Sequence, residues 1–505
     1  MFLLLATEDF AATPAPAASK EINSVDAVSH PGLAFRPASE LARQLSAREL
    51  SPVALVREIL ARIEASQATL NAYITVCREE ALAAAEAAET ALARGEACGP
   101  LHGVPVSIKD IINTKGIRTT WGSRLMAENV PDSDAVAVER LKAAGAIIIG
   151  KTTTPEFAHK LMTDAPLFGV TRNPWHLDYS PGGSSGGAAV AVAAGLGPLA
   201  LATDAGASTR LPAACTATLG LKPTLGLIPH SQVPEAFNNF IHLGLIARTV
   251  RDLALMLDVL AGPHESDPHS LGLPPPKALA RLDEPFELKQ KRIAWRPLLG
   301  NEELDHEVRA LCEGALAALE REGAAVELDA TPFENAEPAW RILQQSNWAA
   351  RFLARLDELA PQMDPSFVEG IRAGGAYTGQ EVTRAGYQRT QFFRAAQAWF
   401  QHFDFVVTPT AARPPLLVTQ QALDPIEING KCVGDMRRAY VPYLNAIDLT
   451  GHPALSVPCG WTKSGLPVGL QIIGRWYEDR DVLRLAAVLE AKRPWRDRLP
   501  PHAPA

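Results

Sequence analysis

Gly182-Gly183-Ser184-Ser185-Gly186-Gly187, an alanine/valine run, then Thr203-Asp204-Ala205-Gly206-Ala207-Ser208-Thr209-Arg210 and Gly220-Leu221-Lys222-Pro223 form the stretch around which this chain is organised. Glycines bracket Ser184 and Ser185, so the backbone there can take conformations closed to other residues. Gly186 to Ala194 reads as a small-residue helix, which sets both serine hydroxyls near the positive end of its dipole. Ala205 to Ser208 is a second tight, small-residue turn where backbone N–H groups can converge on an anion. A serine beside such an N–H cluster is what acyl transfer requires.

Working outward, Val104 to Ile108 alternates like a strand and runs straight into Lys109-Asp110. Ser51-Pro52 starts a helix, serine as cap and proline at its first position, with Leu55, Val56, Ile59, Leu60 and Ile63 on one face. Further helices are expected over 78–94, 134–144 (capped by Asp134), 250–261, 305–322, 337–359, 379–402 and 479–492. Strands are expected over 146–150, 199–202, 292–295, 324–328, 405–409 and 468–474. This alternation predicts an α/β protein: a single domain with a large mixed, mostly parallel sheet covered on both faces by helices. Within it, residues 1–30 read as a tail or arm, 31–97 as N-terminal helices packed on the core, 98–495 as the main domain with a helical insertion at about 337–402, and 496–505 as a C-terminal tail.

The composition excludes several function classes. A net charge of −8 over 505 residues, with no basic stripe, argues against a nucleic-acid partner. Six cysteines are scattered without paired spacing, so neither a disulfide frame nor a metal site is expected, and a reducing, cytoplasmic setting fits. No basic leader precedes the opening apolar residues. The longest apolar run, Ala188 to Ala202, is interrupted by Gly195, Gly197 and Pro198 and is too short to span a membrane.

The serine stretch admits three readings. A phosphate cradle needs Gly-Lys-Ser/Thr at the helix start, whereas Gly186-Gly187 leads into Ala188. A nucleophile elbow matches Gly182-x-Ser184-x-Gly186, but Asn173 to Pro181, with two prolines, is no strand. The third reading uses the whole segment, together with Leu101-His102-Gly103-Val104-Pro105-Val106-Ser107-Ile108-Lys109-Asp110 upstream. Downstream it takes in Ala247 to Asp252, Leu449-Thr450-Gly451-His452-Pro453-Ala454 and Gly465 to Gly474. This set resembles the amidase signature family over roughly residues 35 to 490.

The resemblance implies a Ser–Ser–Lys set, with Ser208 as nucleophile, Ser184 as the bridging serine after a cis peptide bond, and Lys109 as base. It implies an oxyanion hole from the N–H groups of Ala205, Gly206, Ala207 and Ser208. Ser185 and a charged pair, Asp204 and Arg210, support the turn. The residue types suit these roles, because a serine hydroxyl needs a base within hydrogen-bond reach and a lysine serves as one only when neutral. The family usually has Thr or Ile, Gly, Gly before the nucleophile, where this chain has Ala205-Gly206-Ala207. The expected consequence is a slightly reshaped hole or a narrower acyl pocket. Taken singly, the serines would read as turn or cap residues, Lys109 as a surface lysine, and Asp204 and Arg210 as architecture. His102, His230 and His452 read as loop or core histidines, and Cys215 and Cys459 as small buried hydrophobes.

For the substrate pocket the loop residues Phe168, Phe237 and Phe240 are candidates, with Trp340 and Trp348 from the aromatic-rich helices. The function expected is hydrolysis of small carboxamides, aryl amides or carbamates, with no cofactor and a small-molecule amide as partner. A homodimer is the default assembly. Two alternatives stand beside it: a glutamine-hydrolysing A-type subunit of an amidotransferase, and a catalytically silent binding protein.

Overall fold

Three parallel strands carry their carboxyl ends to one place in the computed structural model, which describes residues 32–96 and 98–504. The expected arm over 1–30, like Ala505 at the other end, lies outside the described residues. Pro105–Lys109 lies between Ile147–Thr152 and Leu199–Asp204, parallel to both, in the register Ile108↔Lys151 and Ile108↔Leu201. Every residue of the three strands is buried. Parallel strands are commonly buried on both faces in this way, so the alternation read over Val104 to Ile108 marks no solvent-facing side.

The whole sheet has 11 strands. From one edge the order is Tyr73–Val76, Ile147–Thr152, Pro105–Lys109, Leu199–Asp204, His242–Ala247, Leu219–Lys222, Ala454–Trp461, Pro467–Ile473, Phe405–Pro409, Arg292–Trp295 and Ala325–Leu328. It is a mixed sheet, as expected, but it is not mostly parallel: six of its ten neighbouring pairs run antiparallel. The antiparallel centre comes from Leu219–Lys222, His242–Ala247 and Ala454–Trp461, strands that carry no clean sequence pattern. Two of them hold a glycine where a helix approaches. A Cβ at Gly220 would come within 2.6 Å of Ala213 Cβ, and one at Gly244 would run into the Thr209 side chain. Glycine in these strands marks the close passage of the helix Arg210–Thr216.

Local signals set some of the helix ends. Ser51 Oγ accepts the Ala54 N–H at 3.1 Å and Pro52 opens the helix Pro52–Leu70. The helix expected to start at Asp134 instead runs Val136–Ala143 with Ala135 at its cap position. The Asp134 carboxylate accepts the Lys115 N–H at 2.7 Å and pairs with Lys142 at 2.7 Å, and those partners draw it away from the helix terminus. Gly186–Ala193 is buried all round, as an apolar helix inside a core must be. Among the described residues no helix is long and apolar enough to cross a membrane.

The small residues of that helix are a packing requirement. A Cβ at Gly187 would overlap Thr153 and stand 2.6 Å from the Ala72 carbonyl oxygen. Gly187→Ala therefore has to push the helix off the strand ends, and it is expected to lower stability by about 1–3 kcal/mol, read as a fall in the denaturant midpoint.

Candidate active site

Strand direction places Lys109 first. It is the last residue of Pro105–Lys109, and its side chain is fully buried. Its Nζ donates to Ser184 Oγ at 2.7 Å and to Thr203 Oγ1 at 2.9 Å. Burial lowers its pKa from the ordinary lysine value to about 7, although the Asp204 charge pulls the other way. At neutral pH a sizeable fraction of Lys109 is therefore an uncharged amine.

Ser184 follows a cis Gly183–Ser184 peptide bond and precedes the helix Gly186–Ala193. The two serine segments are tied directly, since the Ser185 N–H donates to the Ser208 carbonyl at 3.0 Å. Ser185 Oγ donates to the Thr203 carbonyl at 3.3 Å, which anchors the same junction to the strand Leu199–Asp204.

The turn carrying Ser208 is wrapped around the Asp204 carboxylate. Its oxygens accept the N–H groups of Ala207 at 2.8 Å, Thr209 at 3.1 Å and Arg210 at 3.2 Å. Arg210 Nε adds an ion-paired hydrogen bond at 2.8 Å, with both side chains fully buried. The same guanidinium donates to Gln471 Oε1 at 2.7 Å and to Asp448 Oδ2 at 2.7 Å. Burial by itself would raise the Asp204 carboxyl, but Arg210, Lys222 and the Thr209 N–H outweigh it and hold Asp204 well below the usual carboxylate range. Burial pushes Asp448 up; Arg210 opposes this and the Asp204 charge adds to it.

Of the four N–H groups expected to face an oxyanion, that of Ala207 is taken by Asp204. Ala205, Gly206 and Ser208 are not among the groups Asp204 receives. Ala207 adopts φ 156°, at the edge of the region that favours glycine, and is fully buried with Leu161, Met162 and Leu211 in one apolar cluster. The Ala205 carbonyl accepts the Trp340 indole N–H at 2.5 Å, and the indole lies where a Cβ on Gly206 would be, 2.8 Å from its Cζ2.

Ser184, Thr203, Ala205 and Ser208 line one cavity of about 300 Å³. Its apolar walls come from Trp121, Phe157, Phe240, Ile241 and Trp348, and His230 also lines it. Three of the lining residues are non-glycines in the left-handed region: Trp121 at φ 56°, Phe157 at φ 47° and Ala158 at φ 57°. Each such residue costs on the order of 1–3 kcal/mol and persists only where its surroundings impose it. Here the Trp121 N–H donates to the Asp110 carbonyl and the Phe157 N–H to the Trp121 carbonyl, both at 2.8 Å. Asp110 is pinned in turn, because its carboxylate accepts the Thr120 N–H at 3.0 Å.

Lys109, Ser184, Ser185, Asp204, Ser208 and Arg210 are thus brought together. Among the pocket candidates, Phe240 and Trp348 line the cavity. Trp340 does not; it braces the Ala205-Gly206 turn from behind. Phe168 and Phe237 lie outside the lining. Phe237 is 78% exposed, its loop being bent by Glu235, whose carboxylate accepts the Phe237 and Asn238 N–H groups at 2.9 and 2.7 Å. Sequence reasoning gives no role to Trp121, Phe157, Thr203, Asp448 or Gln471. Gln471 sits inside the Gly465 to Gly474 segment, and a polar amide within an apolar strand is the signal that could have found it. Nothing local marks Trp121 or Phe157.

Residues 54–483 match the family model described as Amidase. The chain is 37% identical over 468 residues to an acylamidase of Rhodococcus erythropolis, covering 92% of this chain and 96% of that one. It is 35% identical over 493 residues to the A subunit of the glutamyl-tRNA(Gln) amidotransferase of Moorella thermoacetica, covering 93% and 99%. Among solved structures, a bacterial aryl acylamidase of the amidase signature enzymes superposes with TM-score 0.85 at 29% identity, covering 92% of this chain and 97% of that one. A 6-aminohexanoate cyclic dimer hydrolase superposes with TM-score 0.83 at 28% identity, covering 93% and 99%.

Removing one member of the buried ion-pair cluster tests its architectural role. Arg210→Met leaves Asp204 and Asp448 buried without their countercharge, and the melting temperature should fall by an amount equivalent to about 3–5 kcal/mol. A scanning calorimetry trace unchanged from the parent protein would exclude that role.

Proposed function

The chain belongs to the amidase signature family, and from that premise we infer that it cleaves the C–N bond of linear amides through an acyl-enzyme on Ser208. The observation that carries this reading is the 2.7 Å hydrogen bond from Lys109 Nζ to Ser184 Oγ, fully buried at the wall of the cavity that Ser208 also lines. Neutral Lys109 accepts the Ser184 hydroxyl proton while Ser184 takes the proton of Ser208. The Ser208 oxygen then bonds to the substrate carbonyl carbon. The carbonyl π electrons move to its oxygen, where the N–H groups of Ala205, Gly206 and Ser208 receive the developing charge. The proton held on Lys109 returns through Ser184 to the leaving nitrogen as the C–N bond breaks. A water molecule then attacks the ester along the same proton path and restores Ser208.

The aromatic lining from Trp121, Phe157, Phe240 and Trp348 favours an apolar acyl or aryl group, so aryl amides and acylamides are the preferred substrate class. The likeness to amidotransferase A subunits raises glutamine as a second reading. Glutamine brings an ammonium group that needs an acidic partner. Among the described residues Glu235 is the one carboxylate lining this cavity, and it receives two N–H groups of its own loop. The aromatic lining favours the acylamidase reading over the glutaminase one.

Ser208→Ala is expected to abolish turnover of propionanilide and related anilides by at least about 1,000-fold while the melting temperature is retained. With Lys109 titrating at about 7, kcat/KM on a neutral anilide should rise as pH passes upward through about 7 and level off above it. Below that pH the amine is protonated and has no lone pair for Ser184. A profile already flat from pH 5 to pH 8 would remove Lys109 as the base.

A further inference from the structure

The helix Glu337–Phe352 turns one face to the cavity, Gln344, Asn347, Trp348 and Arg351, at the spacing of successive helical turns. Arg351 stands at a junction. Together with Trp121 it lines the inner 300 Å³ cavity and two outer grooves of about 750 and 450 Å³. Its guanidinium lies over three aromatic rings, 5.2 Å from the Phe352 centroid, 5.6 Å from Trp121 and 5.9 Å from Phe157. Two of these are the left-handed residues Trp121 and Phe157, so the platform under the cation is built by the same backbone constraint that shapes the pocket.

Among the described residues Arg351 has no ion-pair or hydrogen-bond partner, which sets it apart from the other arginines near the site. Arg210, Arg341 and Arg437 each donate to carboxylates or carbonyls. Arg351 is an exposed residue; partial desolvation of its guanidinium still lowers its pKa, and no neighbouring carboxylate opposes this. Two turns back on the same helix, Gln344 Oε1 is buried at the cavity with no hydrogen-bond partner, an acceptor suited to an amide N–H. Aromatic stacking holds a guanidinium plane but leaves its five N–H donors to be filled from solvent or ligand. A planar, solvent-accessible fork on a residue that lines the cavity is suited to a carboxylate, which it binds with two parallel hydrogen bonds.

We propose that Arg351 is a specificity-determining residue that binds a carboxylate on the substrate, so that the amides this protein hydrolyses best carry an acid group distal to the scissile bond. The proposal rests on the amide-hydrolase reading above and narrows its substrate class. The carboxylate can sit on the acyl chain or on the leaving amine, and both placements share the chemistry that Arg351 recognises.

The test compares three anilides: neutral propionanilide, the mono-anilide of adipic acid (acid on the acyl chain) and N-propionyl-4-aminobenzoate (acid on the amine). Methyl esters of the two acids serve as neutral isosteres. In the parent protein at least one acid should exceed its methyl ester in kcat/KM. In R351M that acid-to-ester ratio should fall about 10- to 100-fold, chiefly through KM, and in R351K by less, since the charge stays but the fork is lost. Binding of the same compounds to the Ser208→Ala protein, with and without R351M, reads the preference by calorimetry where no turnover occurs. Loss of turnover on all three anilides with the acid preference intact in that binding assay would overturn the hydrolase reading and not the recognition. Equal handling of acids and esters by the parent protein, or an R351M ratio matching the parent, would overturn the proposal. Melting curves of both variants confirm that the fold is present.

Discussion

The buried contact between Asp204 and Arg210 is the constraint on which the rest of the site depends. One carboxylate receives three backbone N–H groups and two guanidinium N–H groups, so the path of the chain from 204 to 210 is specified atom by atom. Asp204 also acts on Lys109. The Asp204 charge pulls the lysine back towards its ordinary pKa, and desolvation prevails over it. Geometry of the nucleophile turn is set by this ion pair, and basicity of the amine by burial acting against the Asp204 charge. Arg210 is held in its turn by Gln471 and Asp448, from the strand Pro467–Ile473 and the helix Pro442–Thr450, so distant segments of chain converge on this point.

Small side chains make that convergence possible. The carboxyl ends of three parallel strands are a natural place for reacting groups, because the chain leaves the sheet there and its N–H groups become available. Bringing a serine-bearing helix onto those ends requires glycine at 186 and 187, where any Cβ would meet Thr163 or Thr153. The helix Arg210–Thr216 makes the same demand of Gly220 and Gly244 from the other side. Close packing of backbone on backbone keeps Lys109 dry, and dryness is what lowers its pKa.

The pocket follows a different logic. Its walls are bulky aromatics, some held in a conformation that costs energy, and the hydrogen bonds from Trp121 to Asp110 and from Phe157 to Trp121 hold them there. Backbone hydrogen bonds thus link Asp110, next to Lys109, through Trp121 to Phe157, two of the rings beneath Arg351.

Much of this is legible in the chain itself. The glycine- and serine-rich motif, its small-residue helix and the strand ending in Lys109 announce their geometry through local rules: glycine freedom, capping and apolar periodicity act over a few residues. The same locality explains what stays hidden. The antiparallel centre of the sheet escapes because Gly220 and Gly244 erase strand patterning in favour of a helix that packs there from elsewhere in the fold. Asp134 reads as a cap because its competing partners, the Lys115 N–H and Lys142, act only once the chain has folded. Trp121, Phe157 and Arg351 are far apart in sequence and ordinary in context. Residue identity alone determined which groups could do chemistry. Only the tertiary structure decided which of them lose water, which acquire partners, and which are left facing a cavity, because desolvation and hydrogen-bond competition are properties of the packed whole.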